Sequence, residues 1–207
     1  MMTDYYQSGD ILKQYYKFHS LFYDSTRWSF LFGRYKIIQR CLKSGIQPDS
    51  ILEVGCGTGK NLKVLTRDFP DSQITGIDIS SAMLTKARNK VELSRVALKE
   101  DYYELETFDQ RTFDLILFSY SLSMMNPGWD RAIANACEHL KPGGHIAVVD
   151  FFDSNFSWFK RWMGVNHVRM DGHLKGELRK YFDPVDDQVK KAYLGVWDYL
   201  LFIGKKS

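Results

Sequence analysis

The chain has 207 residues, 44% of them hydrophobic and 26% charged, and carries a formal net charge of +3. That length predicts one domain with a substantial core, and this balance excludes disordered and fibrous classes. The small net charge argues for no nucleic-acid partner, and no apolar run approaches the roughly 18 residues of a membrane span.

The first fifth stands apart. Residues 1–49 hold seven bases and four acids, so the chain's whole surplus of positive charge lies there, and eleven of its 31 aromatic residues fall between Tyr5 and Tyr35. The start, Met1-Met2-Thr3-Asp4, is unlike a secretory leader. Ile11, Tyr15, Phe18 and Phe22 recur at helical spacing, and Leu31, Ile38 and Leu42 do so up to Gly45, which predicts two helices broken near residues 24–26. Residues 1–49 are therefore expected to form a helical lid and interface segment ahead of a body at 50–207.

The body alternates. Short, continuous apolar runs at Ser50–Val54, Gln73–Ile77, Phe113–Phe118 and His145–Val149 predict buried strands. Helix-length stretches lie between them at Lys60–Asp68, Ser81–Val91 and Asp130–Leu140, the last closed by the stop signal Lys141-Pro142-Gly143-Gly144. Alternation of this kind predicts an α/β fold with a parallel sheet and right-handed crossovers. Residues 151–170 are again aromatic and basic. Gln188–Leu194 and Val196–Ile203, joined at Gly195, predict a C-terminal antiparallel hairpin. Cys41, Cys56 and Cys137 form no C-x-x-C pair, which points to a reducing, cytoplasmic compartment. The five histidines show no metal-ligand spacing, so no metal is expected.

The stretch Glu53-Val54-Gly55-Cys56-Gly57-Thr58-Gly59 follows a predicted strand and opens a helix. Its glycines permit a sharp turn and bring bare backbone and free helix N–H groups against a ligand. Asp78 ends the next predicted strand nineteen residues later, where an α/β nucleotide site places the carboxylate that takes ribose hydroxyls. The spacing is G-x-G-x-G, not the G-x-G-x-x-G of dinucleotide sites, and no P-loop pattern is present.

This motif with its downstream acid resembles motif I of class I S-adenosylmethionine-dependent methyltransferases, over about Ser50 to the C-terminus. The resemblance implies a Rossmann-like, seven-stranded, mostly parallel sheet with helices on both faces and a C-terminal antiparallel hairpin. It implies S-adenosylmethionine as cofactor and S-adenosylhomocysteine as product. By position, Glu53, Gly55, Gly57 and Gly59 belong to the turn that meets the methionine part, and Asp78 to the ribose. Ile79 and Met83 fall beside the adenine, Asp101 with Tyr102 at its amino group, and Ser119 at the end of the fourth strand of that fold.

The segments His19–Arg34, Ser119–Trp129 and Val148–Asp153, with the string Tyr-Asp-x-Thr-Arg from Tyr23, resemble a narrower group. These are the lipid head-group N-methyltransferases: betaine-lipid enzymes that trimethylate diacylglyceryl-homoserine, and phosphatidylethanolamine N-methyltransferases. That resemblance implies an amine acceptor on a lipid and peripheral contact with the inner face of a membrane. Tyr15, Tyr23 and Tyr120 are then candidates for a cage around a cationic nitrogen, His19 for the proton acceptor, and Arg27 and Arg34 for a head-group anion. Trp28, Trp158 and Trp162, flanked by bases, suit a membrane–water boundary. A soluble small-molecule or quinone-precursor methyltransferase and a non-catalytic, cofactor-binding adaptor are the alternatives. Sequence does not set the oligomeric state.

Overall fold

The computed structural model describes residues 31–165 and 168–207. Helix α1 (Arg34–Lys43) leads into β1 (Ser50–Val54), α2 (Lys60–Asp68), β2 (Gln73–Asp78), α3 (Ser81–Arg88) and β3 (Val96–Glu100). Strand β4 (Phe113–Ser119), α4 (Trp129–His139), β5 (Leu140–Asp153), α5 (Ser157–Val165), α6 (His173–Tyr181), β6 (Asp183–Ala192) and β7 (Trp197–Lys205) follow. The described strands form one seven-stranded sheet in the order β3-β2-β1-β4-β5-β7-β6, parallel through β5, with β7 antiparallel between β5 and β6. This is the Rossmann-like, mostly parallel sheet with a terminal hairpin that the sequence predicts.

Two apolar layers sandwich the sheet. One face packs Ile37, Ile38, Leu62, Leu65, Phe159 and Trp197, so α1, α2 and α5 cover it. The other packs Ile133, Ala136, Leu174 and Leu178 from α4 and α6 onto Leu52, Ile116, Phe118 and Leu200. Strands buried on both faces account for the unbroken apolar runs of β1 and β4.

Helix α1 is phased differently from the expected stripe. Its buried residues are Ile37, Ile38 and Cys41, whereas Leu42 is exposed and Leu31 precedes the helix. Ile37 and Ile38 each remove a full aliphatic side chain from water, about 1.5–3 kcal/mol apiece, which outweighs the extra exposure of Leu42.

Strand β5 begins at Leu140, immediately after α4, so Lys141-Pro142-Gly143-Gly144 ends the helix and also enters the sheet. Leu140 pairs with Phe113, and the register shifts before His145 pairs with Leu115. Gly143, at φ 77°, occupies that irregularity in a conformation suited to glycine. Strand β6 begins at Asp183, five residues earlier than expected. It is the outer strand of the hairpin, and its charged side chains carry no apolar signature because an edge strand guards itself with charge. The turn between β6 and β7, Tyr193–Gly195, has positive φ at all three residues.

Candidate active site

The glycine turn is fixed by hydrogen bonds to β2. Gly55 and Cys56 both donate backbone N–H to the Ile77 carbonyl, at 2.9 and 3.1 Å, and Gly59 donates to Cys56 O at 3.1 Å. Gly55, Gly57 and Gly59 all have positive φ. Their surroundings separate their roles. A Cβ on Gly55 would lie 2.7 Å from the Ser121 Cβ, and one on Gly59 3.0 Å from the Ala87 Cβ. A Cβ on Gly57 would meet nothing within 4 Å. Gly55 and Gly59 let the turn pack against the loop after β4 and against α3, whereas Gly57 presents bare backbone to open space.

Asp78, the last residue of β2, faces this turn. Its Oδ2 accepts from the Gly57 N–H at 2.8 Å and its Oδ1 from the Ser80 N–H at 2.9 Å. Burial raises its pKa above the usual carboxylate value, and the two backbone donors pull it back. Ser80 also caps α3, its Oγ accepting from the Met83 N–H at 3.4 Å. That places Met83, buried, and Ile79, half-buried, beside the carboxylate. Asp101 follows β3; its N–H donates to Asp78 O at 3.3 Å, while its exposed carboxylate accepts from the Tyr102 N–H and lies 3.6 Å from Lys99 Nζ.

Beneath the turn sits a buried polar group. Asn61 Nδ2 donates to Glu53 Oε1 at 2.6 Å, and Glu53 Oε2 and Asn61 Oδ1 have no hydrogen-bond partner among the described residues. Burial pushes the Glu53 carboxyl up to about 8, against the pull of Arg34 and Asn61. Arg34, a candidate for a head-group anion, is half-buried, with its Nε enclosed and its charge bearing on Glu53. Ser119 and Ser121, at and just beyond the end of β4, also have buried hydroxyls without a hydrogen-bond partner among the described residues. Cys56 is a buried thiol, its ionisation opposed by desolvation and by Glu53 and Asp78, so nothing equips it as a nucleophile.

Tyr120, a candidate for the cage, is buried in the fold. It is 4% exposed at φ 57°, its ring meets Phe151 edge-on at 4.7 Å, and its hydroxyl donates to Phe32 O at 2.6 Å. Ser123 N–H, one turn further on, donates to Asp150, whose buried carboxyl is pushed up to about 6. Tyr120 and Asp150 thus position the loop after β4.

The structure therefore gathers Glu53, the glycine turn, Asp78, Ile79, Met83, Asp101, Tyr102 and Ser119 at the carboxyl ends of β1 to β4. Tyr15, His19, Tyr23, Arg27 and Trp28 lie outside the described residues. Trp158 and Trp162, 65% and 49% exposed on α5, lie elsewhere on that edge of the sheet. Asn61 and Ser121 were not expected at the site. Asn61 is marked by its place two residues past Gly59, in the first turn of α2; no pattern in the sequence marks Ser121.

Residues 51–144 match the family model described as "Methyltransferase domain". The chain is 35% identical over 111 residues to a malonyl-[acyl-carrier protein] O-methyltransferase of Priestia megaterium, covering 53% of this chain and 39% of that protein. It is 34% identical over 107 residues to a phosphatidylethanolamine N-methyltransferase of Cereibacter sphaeroides, covering 49% and 50%. The chain thus spans half or less of these curated relatives. A solved structure of a Burkholderia thailandensis 1,6-didemethyltoxoflavin-N1-methyltransferase, holding S-adenosylhomocysteine, superposes with a TM-score of 0.74 at 16% identity, covering 98% of this chain and 90% of that one.

Proposed function

We propose that this chain is an S-adenosylmethionine-dependent methyltransferase whose acceptor is the amine of a polar lipid head group, reached at a membrane surface. The observation that carries the first half is the pairing of Gly57 with Asp78. Backbone without a side chain faces open space, and a carboxylate fixed by two N–H bonds stands on the neighbouring strand. The match of residues 51–144 to a methyltransferase model supports the same reading.

The residues fit the cofactor by their chemistry. Two of the roughly four acceptor sites of the Asp78 carboxylate are used by backbone, leaving capacity for a ribose diol. The enclosed Glu53 Oε2, Ser119 Oγ and Arg34 Nε offer a carboxyl group, a hydroxyl and a cation to the amino and carboxylate ends of an amino acid. S-adenosylmethionine brings a methyl group already electrophilic on its sulfonium. What the chain must do is align an unprotonated nitrogen and exclude water. The Tyr120–Phe32 bond closes the loop after β4 onto the segment before α1, on the acceptor side of the crevice. We further assign His19 to accepting the amine proton, and Tyr15 and Tyr23 to the cationic product.

The lipid half rests on an apolar rim at the same edge of the sheet. Asp153 of β5 pairs with Asp198 of β7, so the hairpin turn lies at the carboxyl end of β5. There Phe159 of α5 stacks on Trp197 at 5.2 Å. Around that pair Trp158, Val165 and the turn residue Leu194 are exposed, with Arg161 among them. Aromatic and aliphatic side chains beside bases suit anionic lipid. The similarity to a phosphatidylethanolamine N-methyltransferase supports the acceptor class. No described helix is long and apolar enough to cross a membrane, so contact would be peripheral.

The test is transfer of labelled methyl from S-adenosylmethionine to vesicles containing phosphatidylethanolamine or an amino-acid betaine-lipid precursor. Label in extracted lipid supports the reading. Label in soluble amines alone redirects it to a soluble acceptor, and cofactor binding without transfer to either redirects it to an adaptor.

A further inference from the structure

A second polar site lies away from the crevice, between α1 and the terminal hairpin. A groove of about 350 Å³ runs there, lined by Lys36, Gln39, Arg40 and Lys43 from α1 and by Lys190 and Tyr199 from β6 and β7. That volume falls at the lower end of the roughly 300–1,000 Å³ of small-molecule clefts. Arg40 is the anchored member: its guanidinium meets the Asp186 carboxylate and donates to Gln188 Oε1 at 3.0 Å. Lys36, Lys43 and Lys190 are exposed and have no carboxylate partner among the described residues.

The arrangement works against the fold. Lys36, Arg40 and Lys43 fall on one face of α1 at i, i+4 and i+7, opposite the buried Ile37, Ile38 and Cys41. Like charges at such spacings repel, and α1 holds no acidic residue to offset them. Lys190 adds a further cation from the facing strand, opposite Tyr199 in the register of β6 and β7. Asp186 offsets Arg40 alone, and the three lysines are left without a carboxylate among the described residues. The chain's whole positive surplus lies in residues 1–49, which contain three of these four cations.

We propose that this groove binds a phosphate group, carried by a phospholipid head group or by a soluble phosphate. Arg40 provides a preset fork, Lys36, Lys43 and Lys190 provide mobile point charges around it, and the Gln39 amide provides a neutral donor. The proposal does not depend on methyl transfer, because none of these residues touches Glu53, Gly57 or Asp78.

The test uses the full chain and the triple variant Lys36→Gln/Lys43→Gln/Lys190→Gln, which spares Arg40 and its strand contact. Inorganic phosphate and pyrophosphate are titrated by calorimetry, and flotation is measured with phosphatidylglycerol/phosphatidylcholine vesicles at low and high salt. Binding of S-adenosylhomocysteine and the unfolding temperature control for the fold and for the crevice. If the ligand is a lipid head group, vesicle binding falls on the order of tenfold or more in the variant and loses its salt dependence. If it is a soluble phosphate, the calorimetric signal of the unaltered chain disappears while flotation stays the same. The proposal is overturned if the unaltered chain binds neither probe, or if the variant binds both as the unaltered chain does. Binding of S-adenosylhomocysteine reads the methyltransferase crevice separately, so failure here leaves that reading standing.

Discussion

The Gly57 N–H donates to Asp78 Oδ2 at 2.8 Å, tying the turn after β1 to the last residue of β2. One bond thereby joins two pieces of the motif across 21 residues of sequence. It forms because β1 and β2 are parallel neighbours with Val54 opposite Ile77, so the residues following each strand emerge side by side.

Replacing Asp78 by Asn keeps the side chain's shape but removes the charge and one acceptor. Hydrogen bonds to charged groups are worth about 1.5–3 kcal/mol, so S-adenosylhomocysteine affinity, measured by calorimetry, should fall at least about tenfold. Unchanged affinity would remove Asp78 from the ribose role.

Gly57 and Gly55 should respond oppositely to alanine. Gly57→Ala adds a methyl to open space at φ 54°, so its folding cost is the left-handed backbone term alone, roughly 1–2 kcal/mol, while the cofactor's approach is blocked. Gly55→Ala drives a methyl to 2.7 Å from Ser121 Cβ and should lower the unfolding temperature more. Thermal melts and calorimetry on both variants check the contrast; equal effects of the two on affinity and stability would refute it.

Much of this site was legible because its strands are buried on both faces. The bounds of β1 and α2 agree with the expected Ser50–Val54 and Lys60–Asp68, and β2 and β4 each run one residue further. Strand β3 escaped notice because it is at the outer edge and Val96 alone of its five residues is buried. Helix α3 stops at Arg88, three residues short of the apolar pattern's end. The burial of Arg34 was not legible for a different reason. Its neighbours Lys36 and Tyr35 are exposed, and composition cannot tell which base of a run turns inward to meet a buried carboxylate such as Glu53.

Glu53 makes stability depend on pH with a definite sign. Its carboxyl is pushed from an ordinary 4.5 to about 8 in the folded chain. Between those values the folded state holds a proton that the unfolded state has released, so this contribution is complete below about pH 4.5 and is lost as pH rises toward 8. The slope it adds is at most about 1.4 kcal/mol per pH unit. Glu53→Gln keeps an acceptor for Asn61 and should flatten the decline of stability between pH 5 and 8, read by denaturant titrations at several pH values. A decline as steep in the variant as in the parent would show that Glu53 is ionised in the fold.

Tyr120→Phe removes the hydroxyl that donates to Phe32 O while leaving the ring against Phe151. The loss should be about 0.5–1.5 kcal/mol of stability. Amide exchange should quicken at residues 31–34 and not in the strands, because the bond links that segment to the loop after β4. Uniform acceleration across the sheet would mean that the hydroxyl supports the core instead.

The rim on α5 makes the last separable prediction. Trp158 is 65% exposed and Val165 76%, while their neighbours Phe159 and Met163 are buried, so the outer pair contributes little to the fold. Trp158→Ala/Val165→Ser should leave the unfolding temperature and S-adenosylhomocysteine affinity unchanged. If the rim enters lipid, burial of these side chains is worth about 1.5–3 kcal/mol each, and partial immersion of the pair should still cost on the order of tenfold in vesicle partitioning. This term is apolar, so the loss should persist at high salt, where the contribution of the lysines in the groove is screened. Equal partitioning of parent and variant at high salt would show that α5 does not enter the bilayer, and the acceptor would then have to come to the crevice from solution.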